Sequence, residues 1–179
     1  MTALDQLRTP RLLLSRPSTS DLHDLIRFNQ DARVMATLGG VRSRAETEEY
    51  LQRQLDHWER YGFGWWIARD AQTECFAGRG GLRRLAIGGR DEVEVGYSFL
   101  PEFWGHGLAT ELARESARVG FAKLHLPELV SFTLATNDAS RRVMEKVGFR
   151  YERDLLYADL PHVLYRLTSA AWNSGGRDD

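Results

Sequence analysis

The segment EVEVGYSFLPEFWGHGLATEL, Glu92 to Leu112, passes from an alternating strand through a glycine loop straight into a helix, and that order restricts the fold more than any other feature. Val93, Val95, Tyr97 and Phe99 share one face of the strand, while Glu92, Glu94, Gly96 and Ser98 share the other. Gly105 and Gly107 cost backbone entropy, so the turn needs positive φ or the close approach of another group to bare backbone. A helix start carries unpaired amides and a partial positive charge, which suits a phosphate. The residues alone leave two readings open, an anion at the helix start or a tight turn without ligand. GRGGL, Gly78 to Leu82, lacks both dinucleotide glycine spacing and a following helix, and reads as a strand bend.

With 179 residues, 42% hydrophobic and 27% charged, the chain has the make-up of one globular domain. Lys plus Arg number 24 against 25 Asp plus Glu, so no global field favours nucleic acid or an anionic membrane, and any basic site must be local. The single Cys75 cannot form an internal disulfide. MTALDQLRTPR lacks the apolar run of a signal peptide, and no stretch approaches a membrane span, so the expected location is the cytoplasm. The five histidines lack metal-ligand spacing, and no metal is expected.

RLLLSRP reads as a first strand stopped by proline, and STSDLHDLIRFNQ as an amphipathic helix. Ser43 and Glu46 have capping-box spacing before a second helix that ends near Gly62. FGWWIARD, CFAGRGGLRRL and EVEVGYSFL form an antiparallel meander. After the glycine loop, Glu111, Arg114, Glu115 and Arg118 make a solvated stripe opposite Ala109, Leu112, Ala113 and Ser116. LVSFTL is a strand, NDASRRVMEKV a short helix closed by Gly148, and FRYER and HVLYRL are the last strands. NSGGRDD reads as a loose polar tail.

The pair WGHGLATEL and NDASRRVMEKVGF resembles the GNAT superfamily of acetyl-CoA-dependent N-acetyltransferases. With TPRLLLSRP, YGFGWWIARD and EVGYSFLPEFWGHGLATE in the same order, the chain is most similar to the branch of RimJ/RimL-type ribosomal-protein N-acetyltransferases. The resemblance implies an α/β (α+β) fold: a mixed, mostly antiparallel sheet of six to seven strands, splayed at the cofactor cleft, with helices on both faces. It covers one domain over residues 8–170, leaving 171–179 as tail.

The resemblance also implies that Gly105 through Thr110, with His106, Leu108 and Ala109 between and beside the glycines, wrap the pyrophosphate of acetyl-CoA. Trp104 stands where many relatives have Gln or Arg. Phe99 and Leu100 lie on the strand edge that pairs with the pantetheine arm, and Asn137 matches the residue that bonds the arm's amide. Direct attack by an amine needs a base and an acid but no nucleophilic cysteine. Glu94 is the base candidate, with a surface charge or a salt bridge as the alternative. Many relatives place an acidic tyrosine where this chain has Met144, so Ser140 is the acid candidate, or else a first-turn helix residue satisfying backbone. The resemblance places Tyr157 and Asp159 on the substrate side, while Trp65 and Trp66, on opposite strand faces, are either both core or one core and the other a wall of the acceptor cleft.

These readings imply acetyl transfer to a primary amine, either a small molecule or a peptide N-terminus, by a monomer or homodimer. The alternatives are a noncatalytic CoA or acyl-CoA sensor, and an interaction protein that has lost CoA. Intact Gly105, Gly107, Asn137 and Ser140 argue against the last.

Overall fold

The computed structural model describes residues 4–175. Eight strands form one sheet in the order β1-β2-β3-β4-β5-β6-β8-β7. They are β1 (Gln6–Arg8), β2 (Leu12–Ser15), β3 (Trp65–Asp70), β4 (Phe76–Ile87), β5 (Arg90–Phe99), β6 (Glu128–Leu134), β7 (Arg150–Tyr157) and β8 (Leu160–Thr168). The helices are α1 (Leu22–Gln30), α2 (Ala32–Met35), α3 (Arg44–Tyr61), α4 (Leu108–Ala122), α5 (Asp138–Val147) and α6 (Ser169–Gly175). All neighbouring strands are antiparallel except β5 and β6, so the sheet is mixed and mostly antiparallel, as expected.

Local chemistry sets the helix ends. The Ser43 amide donates to Glu46 Oε2 at 2.7 Å and the Glu46 amide to Ser43 Oγ at 3.3 Å, closing the capping box of α3. Gly62 ends that helix at φ 71°, where a β-carbon would be strained. Asn137 Oδ1 caps α5 through the Ser140 amide at 3.2 Å.

Helices cover both faces. On one, Leu25, Phe28, Met35 and Leu51 from α1 to α3 bury Ile67 and Phe76. On the other, Leu112, Ala113 and Ala117 of α4 meet Trp66, Ala68, Leu82 and Val95. Each large apolar side chain buried this way contributes about 1.5–3 kcal/mol. Glu92 and Glu94 on β5 are only 5% exposed, covered by arginines of β8 and β4. Arg166 offsets the burial of Glu92, donating to both its oxygens at 2.8 and 3.1 Å and to Glu128 at 2.7 Å.

Four expectations change. Gln6–Arg8 adds an eighth strand to the seven read from the sequence. GRGGL is no bend but part of the continuous β4, and its glycines admit close neighbours: a β-carbon on Gly80 would stand 2.3 Å from Leu112 Cδ2 and 2.4 Å from the Gly96 carbonyl. Gly80→Ala would therefore force the backbones of β4 and β5 apart and displace the Leu112 side chain of α4. The start of NSGGRDD belongs to α6 through Gly175, while residues 176–179 lie outside the described residues. Glu111, read as solvated, faces the β1–β2 turn, where Thr9 and Arg11 hold it.

Candidate active site

The sheet opens between β5 and β6. Their parallel pairing is confined to Glu94 opposite Val130, and the Ser131 hydroxyl donates to the Val95 carbonyl at 2.8 Å. Beyond that point the strands diverge around a cavity of about 800 Å³. Because the sheet is split there, both faces of β5 reach the same space: Glu94 from one side and Tyr97 from the other line it.

One end of the cavity is made of backbone. Gly105 and Gly107 have φ of 78° and 79°, conformations that glycine adopts freely. A β-carbon on Gly105 would meet nothing within 4 Å, so the loop is open above its backbone. Gly107 is the N-cap of α4 and brings no capping side chain, leaving the first-turn amides of Leu108, Ala109 and Thr110 without a side-chain acceptor. Those donors and the helix dipole fit a pyrophosphate. The one acid of that turn is neutralised: Glu111 accepts from Thr9 Oγ1 at 2.6 Å, the Arg11 amide at 2.9 Å and Arg11 Nε at 2.7 Å. Burial opposes its charge, yet the bonds from Thr9 and Arg11 outweigh burial and hold the carboxyl below its ordinary value. Arg11 Nη1 also donates to the His106 carbonyl at 2.7 Å, so the β1–β2 turn fixes the glycine loop.

The other end is made of side chains from α3, β3, β4 and the segment before α3. Trp65 stands over Gly96, where a β-carbon would lie 2.4 Å from the indole. Arg79, 3% exposed, donates from Nη1 to the Tyr50 hydroxyl and stacks 4.3 Å from the centroid of that ring and 5.0 Å from Trp65. Burial pushes its guanidinium below the usual arginine value, and the nearby Arg42 adds to that. Arg83 donates to Glu94 Oε2 from Nε at 2.8 Å and from Nη2 at 2.6 Å. Burial works against the Arg83 charge, but Glu94 overrides it and raises its pKa.

The cavity brings together Trp65, Glu94, Phe99, Trp104, Gly105, Gly107, Leu108, Ala109, Thr110, Asn137, Ser140 and Tyr157 of the expected site residues. Four others lie elsewhere. Leu100 turns away, because its amide donates to Ala77 at 2.8 Å and its side chain packs in the cluster around Leu25. Trp66 is the core member of the tryptophan pair, fully buried with its indole donating to the Leu4 carbonyl at 2.8 Å. His106 contributes its carbonyl to Arg11 but does not line the cavity, and Asp159 sits exposed in the β7–β8 turn at φ 60°. Some lining residues are already engaged: Trp104 Nε1 donates to the Phe99 carbonyl at 2.7 Å, and Asn137 Nδ2 to Thr133 Oγ1 at 3.0 Å.

Sequence reasoning missed Tyr97, assigned to the apolar face. Its hydroxyl donates to the Ser140 carbonyl at 2.9 Å and lies 3.1 Å from Ser140 Oγ, and burial raises its pKa, keeping it protonated. It also missed Arg79 and Arg83, whose signal was present: of the three arginines in β4, these two are four apart and so share a face.

Among known families, the acetyltransferase (GNAT) domain matches residues 11–150. The chain belongs to the GNAT acetyltransferase family. It is an N-acetyltransferase. This GNAT protein is 30% identical over 171 residues to the uncharacterized protein YkkB of Bacillus subtilis, a match covering 94% of this chain and 99% of YkkB. An acetyltransferase structure from Agrobacterium tumefaciens aligns with a TM-score of 0.81 at 24% identity, covering 93% of this chain and 96% of that one. Spermidine N-acetyltransferase from Vibrio cholerae, solved with CoA and spermine, aligns at 0.76 and 19% identity, covering 92% and 99%. At such identities these structures establish the fold. Among the described residues no helix is long and apolar enough to cross a membrane, and no cluster of His, Cys, Asp and Glu fits a metal.

Proposed function

We propose that this GNAT enzyme, as one domain over residues 8–170, uses acetyl-CoA to acetylate a primary amine by direct attack in a ternary complex. The observation that carries the reading is the uncapped start of α4, with Gly105 and Gly107, opening onto the same cavity as Glu94 and the split between β5 and β6. The first-turn amides hold the pyrophosphate, and the arm follows the free edge of β5 past Phe99. Asn137, tied to Thr133 and the Ser140 amide, orients the start of α5 beside the arm.

In the transfer, the neutral amine nitrogen attacks the thioester carbonyl, the carbon–sulfur bond breaks, and the thiolate departs. Both contacts from Arg83 fall on Glu94 Oε2, and Oε1, without a hydrogen bond among the described residues, takes the amine proton through water. Ser140, backed by the Tyr97 hydroxyl, returns a proton to the thiolate. Trp65 and Tyr157 wall the acceptor side.

The motif order favours a RimJ/RimL-type enzyme acting on a peptide N-terminus or a small amine in the cytoplasm, as monomer or homodimer, without nucleic acid or membrane. One observation supports a noncatalytic acyl-CoA sensor instead: Glu94 Oε2 is held by Arg83 at 2.6 Å, which fastens the carboxylate to β4. Release of free thiol from acetyl-CoA across a panel of amines separates the two. Amine-dependent release is the expected result, while tight CoA binding without release from any amine would leave the sensor.

A further inference from the structure

Four buried side-chain atoms lack a hydrogen-bond partner among the described residues: Asn29 Oδ1, Arg42 Nη1, Trp65 Nε1 and Arg79 Nε. The last three belong to residues lining the acceptor end of the cavity, and all three are donors. Buried donors left unpaired are rare, because each costs about 1–3 kcal/mol in lost solvation, and their concentration in one chamber marks a missing acceptor.

The charges agree. Arg42 and Arg79 stack on the Tyr50 ring at 5.3 and 4.3 Å from its centroid, and among the described residues neither forms an ion pair with a carboxylate. Among the described residues Glu94 is the only acidic one lining the cavity, and Arg83 holds its Oε2. Arg79 donates from Nη1 to Tyr50, which leaves its Nε and Nη2 edge unused. That edge is the one this protein uses elsewhere to grip carboxylates: Arg33 holds both oxygens of Asp31 at 3.1 and 2.6 Å, and Arg118 both oxygens of Glu115 at 2.8 and 2.6 Å.

We infer that the acceptor chamber binds an oxyanion carried by the amine substrate, a carboxylate or a phosphate, through Arg79, Arg42 and the Trp65 indole. This inference rests on the acetyltransferase reading and narrows it from any primary amine to an anionic one. A polycation such as a polyamine would meet two guanidiniums that form no ion pair among the described residues, and a carboxylate whose Oε2 Arg83 already holds. Arg83, which holds Glu94, and Arg79 are four residues apart on β4, and their guanidiniums lie 5.1 and 5.0 Å from the centroid of the Trp65 ring. The anion and the amine are therefore separate ends of one short substrate, as in an ω-amino acid or a short acidic chain.

Calorimetric titration of the protein loaded with CoA tests this with linear amino acids of one to five methylenes, their carboxamides, and 2-aminoethyl phosphate. The expected result is that at least one anionic compound binds about tenfold or more tighter than its neutral counterpart, the scale of a charged hydrogen bond. Preference for the amino acids identifies a carboxylate and preference for the phosphate identifies a phosphoryl group. Arg79→Gln should erase the preference, and the half-buried Arg42→Gln, less exposed to misfolding, should cut it severalfold with CoA affinity unchanged. Equal or tighter binding of the amides, no binding of any anion, or a preference surviving in both variants would overturn the inference. CoA binding is measured separately: anion binding without CoA binding would sink the acetyltransferase reading alone, and the converse would sink this inference alone.

Discussion

The two ends of the cavity are built from different materials. The cofactor end is main chain: two glycines at positive φ, an uncapped helix start, and an Arg11–Glu111 clasp beneath them. The acceptor end is side chains, Tyr50, Trp65, Arg79 and Arg42, each from a different part of the chain. Backbone recognition needs only a short local motif, so it survives wherever the ligand stays the same. Side-chain recognition is assembled by topology and is free to change with each acceptor.

Breaking the cofactor end should have the largest effect. Gly107→Glu places a negative charge at the N-terminus of α4, where the pyrophosphate belongs, and strains a residue at φ 79°. The nearest atom to its β-carbon is Arg11 Nη2 at 3.6 Å, so the new carboxylate would also compete with Glu111 for Arg11. In the parent protein, acetyl-CoA at 100 times its Kd should add about 2.7 kcal/mol of stability, read as a rise in Tm. The variant should lose that rise and with it all turnover. Gly107→Ala, strained but uncharged, should retain part of it. A folded Gly107→Glu with an undiminished shift would show that the pyrophosphate binds elsewhere.

Glu94 sits at the seam between the ends, and its substitution should have the next largest effect. Glu94→Gln should keep acetyl-CoA binding and lower kcat/KM by about 10²- to 10⁴-fold if general-base catalysis has its usual share. Above the pKa of the acceptor the amine is already neutral, so the deficit should shrink as pH rises. The ion pair supplies a contrast: Arg83→Met frees the buried Glu94 Oε2 by removing its half-buried partner, and it should lower activity through misplacement of Glu94 without that recovery. A Glu94→Gln deficit that stays constant up to the amine's pKa would make Glu94 a structural partner of Arg83.

The legible parts of this fold were those encoded within a few residues. Ser43 with Glu46, Gly62, Asn137 and Gly148 marked helix ends, because a cap is a contact between near neighbours. The Gly105–Gly107 loop was visible for the same reason. Gln6–Arg8 was not, since three residues carry no measurable alternation and become a strand only by pairing with β2. Tyr97 was assigned to the core because alternation tells which residues share a face, not that a split sheet lets both faces line one cavity. Glu111 looked like a surface charge until Arg11, 100 positions away, came to meet it. Arg42 and Tyr50 carried no signal at all, for nothing local links them to Arg79.

The smallest expected effect belongs to the Ser140–Tyr97 pair. The Tyr97 proton is directed at the Ser140 carbonyl, so in the contact between the two hydroxyls Ser140 donates to Tyr97, and Ser140 must turn from that contact to reach a thiolate. Removing Tyr97's hydroxyl with Tyr97→Phe frees the Ser140 proton but also loosens the start of α5. Ser140→Ala removes the donor itself. If Ser140 is the acid, Ser140→Ala should slow single-turnover acetyl transfer more than Tyr97→Phe does, with no recovery at high pH, because protonation of the thiolate follows attack. The loss should be modest, since thiols ionise near 8.5 and water can protonate a free thiolate afterwards. If instead Tyr97 supplies the proton, the order reverses and Tyr97→Phe becomes the more damaging change. Equal rates for both variants and the parent, measured before steady state, would assign the protonation to solvent and leave the pair as a fastening between β5 and α5.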